Sequence, residues 1–274
     1  MSEQYKVNQN RIYENVNQES ILWRFMDLSK FLDLILNKQI TLVRQELFED
    51  IYEGSPIQFS RALSKFFKIE GTENEKKLAQ KLQEISRLIN YRAYINCWHL
   101  NEHESAGMWK LYCTTNEAIA IKTKVFKLKN SLDISSLELI DTLQFGKIEY
   151  DANNNPKLKY IANYDGITLP QEEDSFSIRD CLFIKRKSFE HEREFRIIAM
   201  NNQGLSVHDM DKPDEELKKV GPPIIKIDCD IESMIEEIII SPTAGSWFYD
   251  VVKEITTRLG YNFTITQSKL YQLE

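Results

Sequence analysis

Three charged residues at alternating positions form the first group that could do chemistry. Glu192, Glu194 and Arg196 lie two residues apart in a segment, residues 192–200, that is predicted to be a strand. Alternate residues of a strand point to the same face, so two carboxylates and a guanidinium share one side. Two like charges on one face are unfavourable unless something compensates them. The row therefore either faces solvent or lines a polar cleft, where a carboxylate could stabilise a cationic transition state.

A second acidic group lies earlier in the chain. Glu49, Asp50 and Glu53 follow a predicted strand over residues 40–43 and precede a predicted helix. Acidic residues favour a helix N-terminus because of the helix dipole. The alternative is that they form part of a polar site, or a site for a hard metal that prefers oxygen ligands. We predict no bound metal.

The segment around His99 combines histidine, cysteine and aromatic residues. His99 and His103 are four residues apart, but no helical pattern supports that stretch, so zinc is not indicated. Cys97 and His99 alternate on a predicted strand over residues 93–100, without the Gly-x-Ser-x-Gly elbow of an acyl-transfer enzyme. Trp109 and Tyr112 share one face of a predicted short helix over residues 105–112. They are either core residues or a stacking surface for a base or nicotinamide ring.

Arg24 lies between two aromatic residues in a predicted first strand, residues 21–25. An unpaired charge in such a strand is costly, so the guanidinium needs a partner. That partner is either an acidic neighbour or a phosphate group, which matches the planar fork of arginine.

Composition excludes several classes of function. The 274 residues carry a formal net charge of -7, which disfavours binding to nucleic acid through its phosphates. The four cysteines form no CxxC pair, so neither a zinc site nor a disulfide framework is indicated. GxGxxG and Walker A motifs are absent, which argues against Rossmann and P-loop nucleotide chemistry. The first residues are polar and no long apolar run occurs, so we expect a cytoplasmic protein with no membrane contact.

The pattern of elements predicts a polar segment over residues 1–20 and a single α+β domain over residues 21–274. Predicted helices gather in the first third of the chain, where one begins near residue 27, a second covers 55–67, and a third begins at 72. Strands dominate the remainder, apart from the short helix over 105–112, a helix over 176–189 and a last helix whose apolar stripe is Trp247, Phe248, Val251, Ile255 and Leu259. Because regular βαβ alternation is missing, we expect the helices to pack on a mainly antiparallel sheet.

Several segments, in this order, resemble a bacterial family known as domain of unknown function 2971. The resemblance covers residues 22–270 and rests on the segments LWRFMDLSKFLDLILNKQITLV, FEDIYE, CWHLNEHESAGMWKLYC, AIAIKT, FIKRKSFEHEREFRI and IEEIIISPTAG. Members of this family are common near bacterial defence systems and mobile elements. The resemblance therefore implies a toxin or phage-defence role with a protein target or an antitoxin partner.

The layout is also similar to that of ADP-ribosyltransferases, which hold NAD against a split sheet. That similarity implies that Arg24 takes the role of the early basic residue and Glu194 or Glu192 that of the late glutamate. The middle role falls to Trp98, His99 or an aromatic residue of MWKLY, because a Ser-Thr-Ser strand is missing. Two other functions stay open. One is a non-catalytic module that binds a partner through residues 201–223. The other is a metal-dependent nuclease built from the acidic group and the Glu192 row.

Overall fold

The computed structural model describes residues 11–12, 16–50, 53, 71–113, 115–133, 135, 140, 142–150, 182–201, 209 and 211–272. The predicted helix over residues 55–67 lies outside these ranges, as does most of the polar segment 1–20. No helix in the described ranges is both long and apolar enough to cross a membrane.

The described residues form an α+β structure whose elements follow each other in a mixed order. The strands are β1 (Arg11–Ile12), β2 (Ile21–Asp27), β3 (Gln39–Arg44), β4 (Ala93–Leu100), β5 (Ala118–Lys124), β6 (Leu132–Asp133), β7 (Thr142–Lys147), β8 (Glu149–Tyr150), β9 (Ile184–Lys185), β10 (Glu194–Met200), β11 (Ile224–Cys229), β12 (Glu237–Ile240) and β13 (Ile265–Gln267). The α-helices are α1 (Leu28–Asn37), α2 (Thr72–Arg92), α3 (Ala106–Tyr112), α4 (Val125–Asn130), α5 (Asp214–Leu217), α6 (Ile231–Met234) and α7 (Ser246–Arg258). Short 3-10 helices cover Gln45–Leu47, Lys187–Glu192 and Lys218–Val220.

Eleven of these strands form one large sheet that is mainly antiparallel. Its main path runs β1-β7-β10-β4-β2-β5-β12-β13, and only the pairs β1–β7 and β12–β13 are parallel. The α+β class and the mainly antiparallel sheet are thus as predicted. The helices, in contrast, are not concentrated in the first third, because α3 to α7 all follow residue 105.

The sheet forks at β4. One edge of β4 pairs with β10 from Ala93 to His99. The other edge pairs with two strands, β3 near its start through Ile95 and Val43, and β2 near its end through His99 and Trp23. Residues 96–98 therefore have no strand partner on that edge. The side chain of Asn96 bridges part of the opening, since it donates to the Thr41 carbonyl oxygen at 2.8 Å.

Buried apolar side chains cover both faces of the sheet. The main core lies on the face of Trp98 and Phe195, and α1 contributes Phe31 and Ile35 to it. Alternation along β4 and β10 sends every second residue to the opposite face, where separate smaller clusters form. This alternation places Glu194 and Arg196 of β10 on the face opposite to that of Trp98 and Phe195.

Two helix predictions are wrong in detail. The described part of the predicted helix over 176–189 contains strand β9 and the start of a 3-10 helix. The last helix buries Phe248, as predicted, together with Val252 and Thr256, which lie outside the predicted stripe. Thr256 can be buried because its hydroxyl bonds to the Val252 carbonyl oxygen at 3.0 Å within the helix. Trp247 is instead exposed.

Candidate functional site

A cavity of about 480 Å³ lies at the fork of the sheet. Its walls come from the two diverging branches, with β2 and α1 on one side, β3 and β4 on the other, and α3 alongside. The volume falls within the usual range for small-molecule sites. Six of the side chains that line it come from the predicted site residues, namely Arg24, Trp98, His99, Tyr112, Glu192 and Glu194.

Arg24 contributes a cation to the cavity. Its guanidinium carbon lies 5.7 Å from the centre of the Trp98 ring, a cation–π contact across the fork. No carboxylate or carbonyl among the described residues bonds to it. Burial lowers the pKa of Arg24 to about 10, so the group keeps its charge at neutral pH. Although protein atoms surround the guanidinium, the residue keeps partial exposure. Because Arg24 also lines the cavity, we attribute its partial exposure to the part of the side chain that faces the cavity.

Arg196 is the centre of a buried group that we call the charge cluster, made up of Glu53, Lys185, Glu192, Glu194 and Arg196. Its Nε donates to Glu194 Oε1 at 2.5 Å, and its Nη1 donates to the Leu182 carbonyl oxygen at 2.6 Å. Its Nη2 contacts Glu53 and also donates to Glu194 Oε2 at 3.0 Å. The Arg196 side chain is completely buried, so these bonds replace all its contacts with water.

Lys185 holds the other side of the charge cluster together. Its Nζ lies 2.6 Å from Glu192 Oε2, 3.3 Å from Glu194 Oε2 and 3.5 Å from Glu53 Oε2. The cluster thus brings three carboxyl groups to two cations and contains one acid in excess. Glu192 and Glu194 also line the cavity, so this excess acidic character lies next to it.

Glu194 is ionised in this setting. Burial alone raises its pKa, but the guanidinium of Arg196 and the ammonium of Lys185 outweigh burial and lower the pKa to about 2. Burial raises the pKa of Glu53 above its ordinary value, and Arg196 offsets only part of that rise. The two carboxyl groups bonded to one guanidinium therefore differ in acidity, and Glu194 is the stronger acid of the two.

The pKa of Glu194 predicts a specific acid sensitivity. A carboxyl group whose folded pKa lies below its unfolded value of 4.5 stabilises the fold above that pH. The contribution is lost as the pH falls from 4.5 toward 2. We expect the free energy of unfolding to fall less steeply over this interval in Glu194→Gln than in the unchanged protein. Urea titrations at several pH values measure it, and equal slopes would contradict the assignment.

Cys97 and His99 lie on the same strand face as Glu194 and Arg196, because His99 pairs with Glu194 and Cys97 with Arg196 in the sheet. Burial and the Glu194 carboxylate raise the pKa of Cys97 well above its ordinary value. The thiol therefore stays protonated, which argues against a Cys97–His99 nucleophile pair. The His99 Nδ1 lies 2.6 Å from the Glu192 carbonyl oxygen. A carbonyl only accepts, so Nδ1 carries the proton, and burial lowers the pKa of the ring.

The two aromatic residues of α3 have different surroundings. Trp109 packs edge-on against Phe25 at 4.9 Å and donates its indole N–H to Glu104 at 2.9 Å. It does not line the cavity, whereas Tyr112 does. Burial and the nearby Glu192 raise the pKa of Tyr112, which keeps its phenol neutral and able to donate. Of the aromatic residues Trp98, Trp109 and Tyr112 predicted for the site, Trp98 and Tyr112 therefore line the cavity at the fork.

The predicted acidic group is dispersed. Glu53 enters the charge cluster, Asp50 pairs with Arg186 at 3.0 Å, and Glu49 is exposed. Within the described ranges, no group of three or more His, Cys, Asp or Glu residues could hold a metal ion. The carboxylates that do converge are bonded to an ammonium and a guanidinium instead.

The sequence prediction also misplaced Glu192 and missed Lys185. Glu192 ends a 3-10 helix, and Arg193, with φ 41°, turns the chain before β10 begins at Glu194. Glu192 nevertheless reaches Lys185 from this turn. Lys185 belongs to the run Lys185-Arg186-Lys187, and a basic run of this kind is typical of a solvated face. One feature of the sequence indicated that Lys185 is buried: it directly follows the apolar residues 182–184, which are buried as well.

The region that contains most of the late site residues has a recognisable family signature. Residues 108–197 match the model of a family described as protein of unknown function (DUF2971). This stretch covers less than half of the chain and supports the family resemblance. It includes Tyr112, Lys185, Glu192, Glu194 and Arg196, while Arg24, Glu53, Trp98 and His99 lie before it. No curated protein and no solved structure matches the chain.

Proposed function

We propose that this protein binds NAD in the fork cavity and catalyses ADP-ribosyl transfer or NAD hydrolysis. One observation carries the proposal. Arg24, which no described acidic residue neutralises, lines the same cavity as Glu192 and Glu194. A cation and an excess of carboxylate in one cavity suit a ligand that carries both a phosphate anion and a centre of positive charge.

Each part of such a ligand has a complementary group in the cavity. The guanidinium of Arg24 offers donors to a diphosphate. The ring of Trp98 and the phenol of Tyr112 offer surfaces for a nicotinamide or an adenine. Glu192 and Glu194 face the positively charged half of the ligand. This combination is met by NAD, whose nicotinamide ring is cationic and whose centre is a diphosphate.

Glu194 is the residue that we assign to the reaction. Its ionised carboxylate stabilises positive charge on the ribose as the bond from C1′ to the nicotinamide nitrogen breaks. The bonding electron pair leaves with nicotinamide, an acceptor adds its lone pair to C1′, and the proton of the acceptor passes to solvent. Arg196 and Lys185 act as positioning residues, since their bonds fix both oxygens of Glu194. The acceptor is water, a protein or a nucleic acid.

The other functions receive less support from the geometry. A nuclease would need carboxylates free for metal, and those of the charge cluster are engaged by Lys185 and Arg196. A partner surface on residues 201–223 lies partly outside the described ranges. Its described part is tied to the domain, for example through Arg87 and Asp214 at 2.6 Å. We further propose that the protein acts in bacterial defence, on the NAD of the cytoplasm.

Nicotinamide release tests the proposal. We expect the purified protein to release nicotinamide from NAD, measured by chromatography, with or without transfer to an added protein. NADH carries no charge on its nicotinamide ring and is the matched control, from which we expect no release. Absence of release from NAD, both alone and with host extract as acceptor, would contradict the enzymatic proposal.

Arg24→Gln tests the assignment of the anion site. We expect the variant to bind NAD about 10- to 100-fold more weakly, because it removes a charge-assisted hydrogen bond to phosphate. Isothermal titration calorimetry measures the affinity. Arg258→Gln is the control, since the Arg258 side chain is 77% exposed on α7 and, among the described residues, forms an ion pair only with Glu254. Equal affinities of Arg24→Gln and the unchanged protein would remove Arg24 from the site.

A further inference from the structure

We infer that the Nε2 atom of His99 accepts a hydrogen bond from the carboxamide of a bound nicotinamide, so that the cavity selects dinucleotides that carry an amide on the pyridinium ring. The inference rests on the proposed function, because the placement of the ring follows from the role of Glu194. It makes His99 a specificity-determining residue, which adds selection by hydrogen bonding to selection by charge.

The Nε2 atom of His99 is a buried acceptor without a hydrogen-bond partner among the described residues. The Nδ1 atom of the same ring donates to the Glu192 carbonyl oxygen at 2.6 Å, which leaves the lone pair of the ring on Nε2. The residue is only 3% exposed, and it lines the cavity. Because buried polar side-chain atoms of folded proteins are nearly always hydrogen-bonded, this unpaired acceptor indicates a ligand atom that donates to it.

The neighbours of the ring on the helix side are apolar. Phe25 packs edge-on against His99, with the ring centres 6.2 Å apart, and offers no hydrogen bond. Met108 belongs to the same apolar cluster as Phe25 and lines the cavity as well. Because a methionine side chain is flexible and rotamer changes on binding are common, this wall of the cavity can adjust as the carboxamide reaches Nε2.

The position of His99 matches the expected place of the carboxamide. His99 lies directly opposite Glu194 in the pairing of β4 with β10, so their Cβ atoms are about 5 Å apart on one face of the sheet. The proposed function places C1′ of the nicotinamide ribose beside the Glu194 carboxylate. The carboxamide is attached meta to the ring nitrogen that is bonded to C1′. A ring held at Glu194 by its ribose therefore brings the carboxamide within reach of His99.

The charges on this face favour an amide over an acidic group. Burial lowers the pKa of His99, so the ring is uncharged at neutral pH and Nε2 can only accept. Glu192 and Glu194 line the same part of the cavity and add further acceptors. A neutral N–H group complements these atoms, whereas a carboxylate in its place would meet acceptors and negative charge.

NAD and its 3-acetylpyridine analogue test the inference, because a methyl group replaces the amide nitrogen in the analogue. The analogue keeps the cationic ring, the carbonyl group and the diphosphate, and lacks only the donor. We expect the unchanged protein to bind NAD about tenfold more tightly than the analogue, since Nε2 stays unpaired when the analogue is bound. Calorimetric titrations with both dinucleotides measure this preference.

His99→Asn tests the residue itself. The amide nitrogen of asparagine can replace Nδ1 as the donor to the Glu192 carbonyl oxygen, but asparagine has no acceptor at the position of Nε2. We expect the preference for NAD over the analogue to fall to about twofold or less. His103→Asn is the matched control, because it makes the same change at an exposed histidine and is expected to keep the full preference.

Two results would overturn the inference. One is equal affinity of the unchanged protein for NAD and the analogue, a result that does not depend on the folding of any variant. The other is a preference that persists in folded His99→Asn, since another group would then recognise the amide. In both cases, NAD binding that is weakened by Arg24→Gln would leave the proposed function intact. Absence of NAD binding to the unchanged protein would end both.

Discussion

Glu194→Gln is expected to lower the rate of nicotinamide release on the order of 10²- to 10³-fold, the loss typical of removing one electrostatic stabiliser. The amide keeps the size of the side chain and can still accept from Arg196, but it carries no negative charge to stabilise the ribose cation. We expect the affinity for NAD to change little, because the ground-state diphosphate is bound at Arg24. Single-turnover assays at saturating NAD measure the rate, and calorimetry measures the affinity.

Two controls separate chemistry from folding in this experiment. Glu149→Gln removes an exposed carboxylate on β8 and is expected to keep the full rate. Glu192→Gln removes the neighbouring acid of the cavity, whose side chain accepts a hydrogen bond from Lys185. We expect it to retain more activity than Glu194→Gln. A folded Glu194→Gln protein with an unchanged rate, or a larger loss in Glu192→Gln, would refute the assignment of Glu194.

Arg196→Met is expected to destabilise the fold by about 3–5 kcal/mol, as is typical when one partner of a buried ion pair is removed. Within the described part of the chain, the variant leaves Lys185 as the only cation bonded to Glu194 and Glu53, and the Leu182 carbonyl loses the hydrogen bond from Arg196. Urea unfolding followed by circular dichroism measures the change. Arg258→Met, at an exposed helix position, is expected to stay within about 0.5 kcal/mol of the unchanged protein.

A double variant tests whether the loss comes from the uncompensated carboxylate. Arg196→Met combined with Glu194→Gln is expected to destabilise by less than the sum of the two single changes, because the second removes the charge that the first exposes. Additive losses would mean that Arg196 acts through packing alone. A loss below about 1 kcal/mol in Arg196→Met would contradict the ion-pair network.

The sequence predicted those features of the site that depend on local periodicity. Alternation in residues 192–200 placed Glu194 and Arg196 on one face, and β10 has them there. The same alternation failed for Glu192, because Arg193 has a left-handed backbone conformation and the strand begins only after it, at Glu194. Lys185 was hidden in a basic run, since the carboxylates that reach the run determine which of its three basic residues is buried.

The fork itself could not be predicted, because it arises from two long-range pairings. Strand β4 is buried along most of its length, and nothing local indicates that β3 and β2 share its edge. The choice between Trp109 and Tyr112 also depends on tertiary contacts. Trp109 and Tyr112 lie three residues apart on one face of a helix. Trp109 contacts Glu104 and Phe25, whereas Tyr112 lines the cavity.

A crystal structure of Glu194→Gln with NAD tests the central claim most directly, because the slow variant preserves the bound ligand. We predict diphosphate oxygens within about 3 Å of the Arg24 guanidinium and the nicotinamide ribose beside residue 194. Binding of NAD outside the fork would contradict the claim. An empty cavity in which the Arg24 side chain pairs with a carboxylate of the protein would also contradict it.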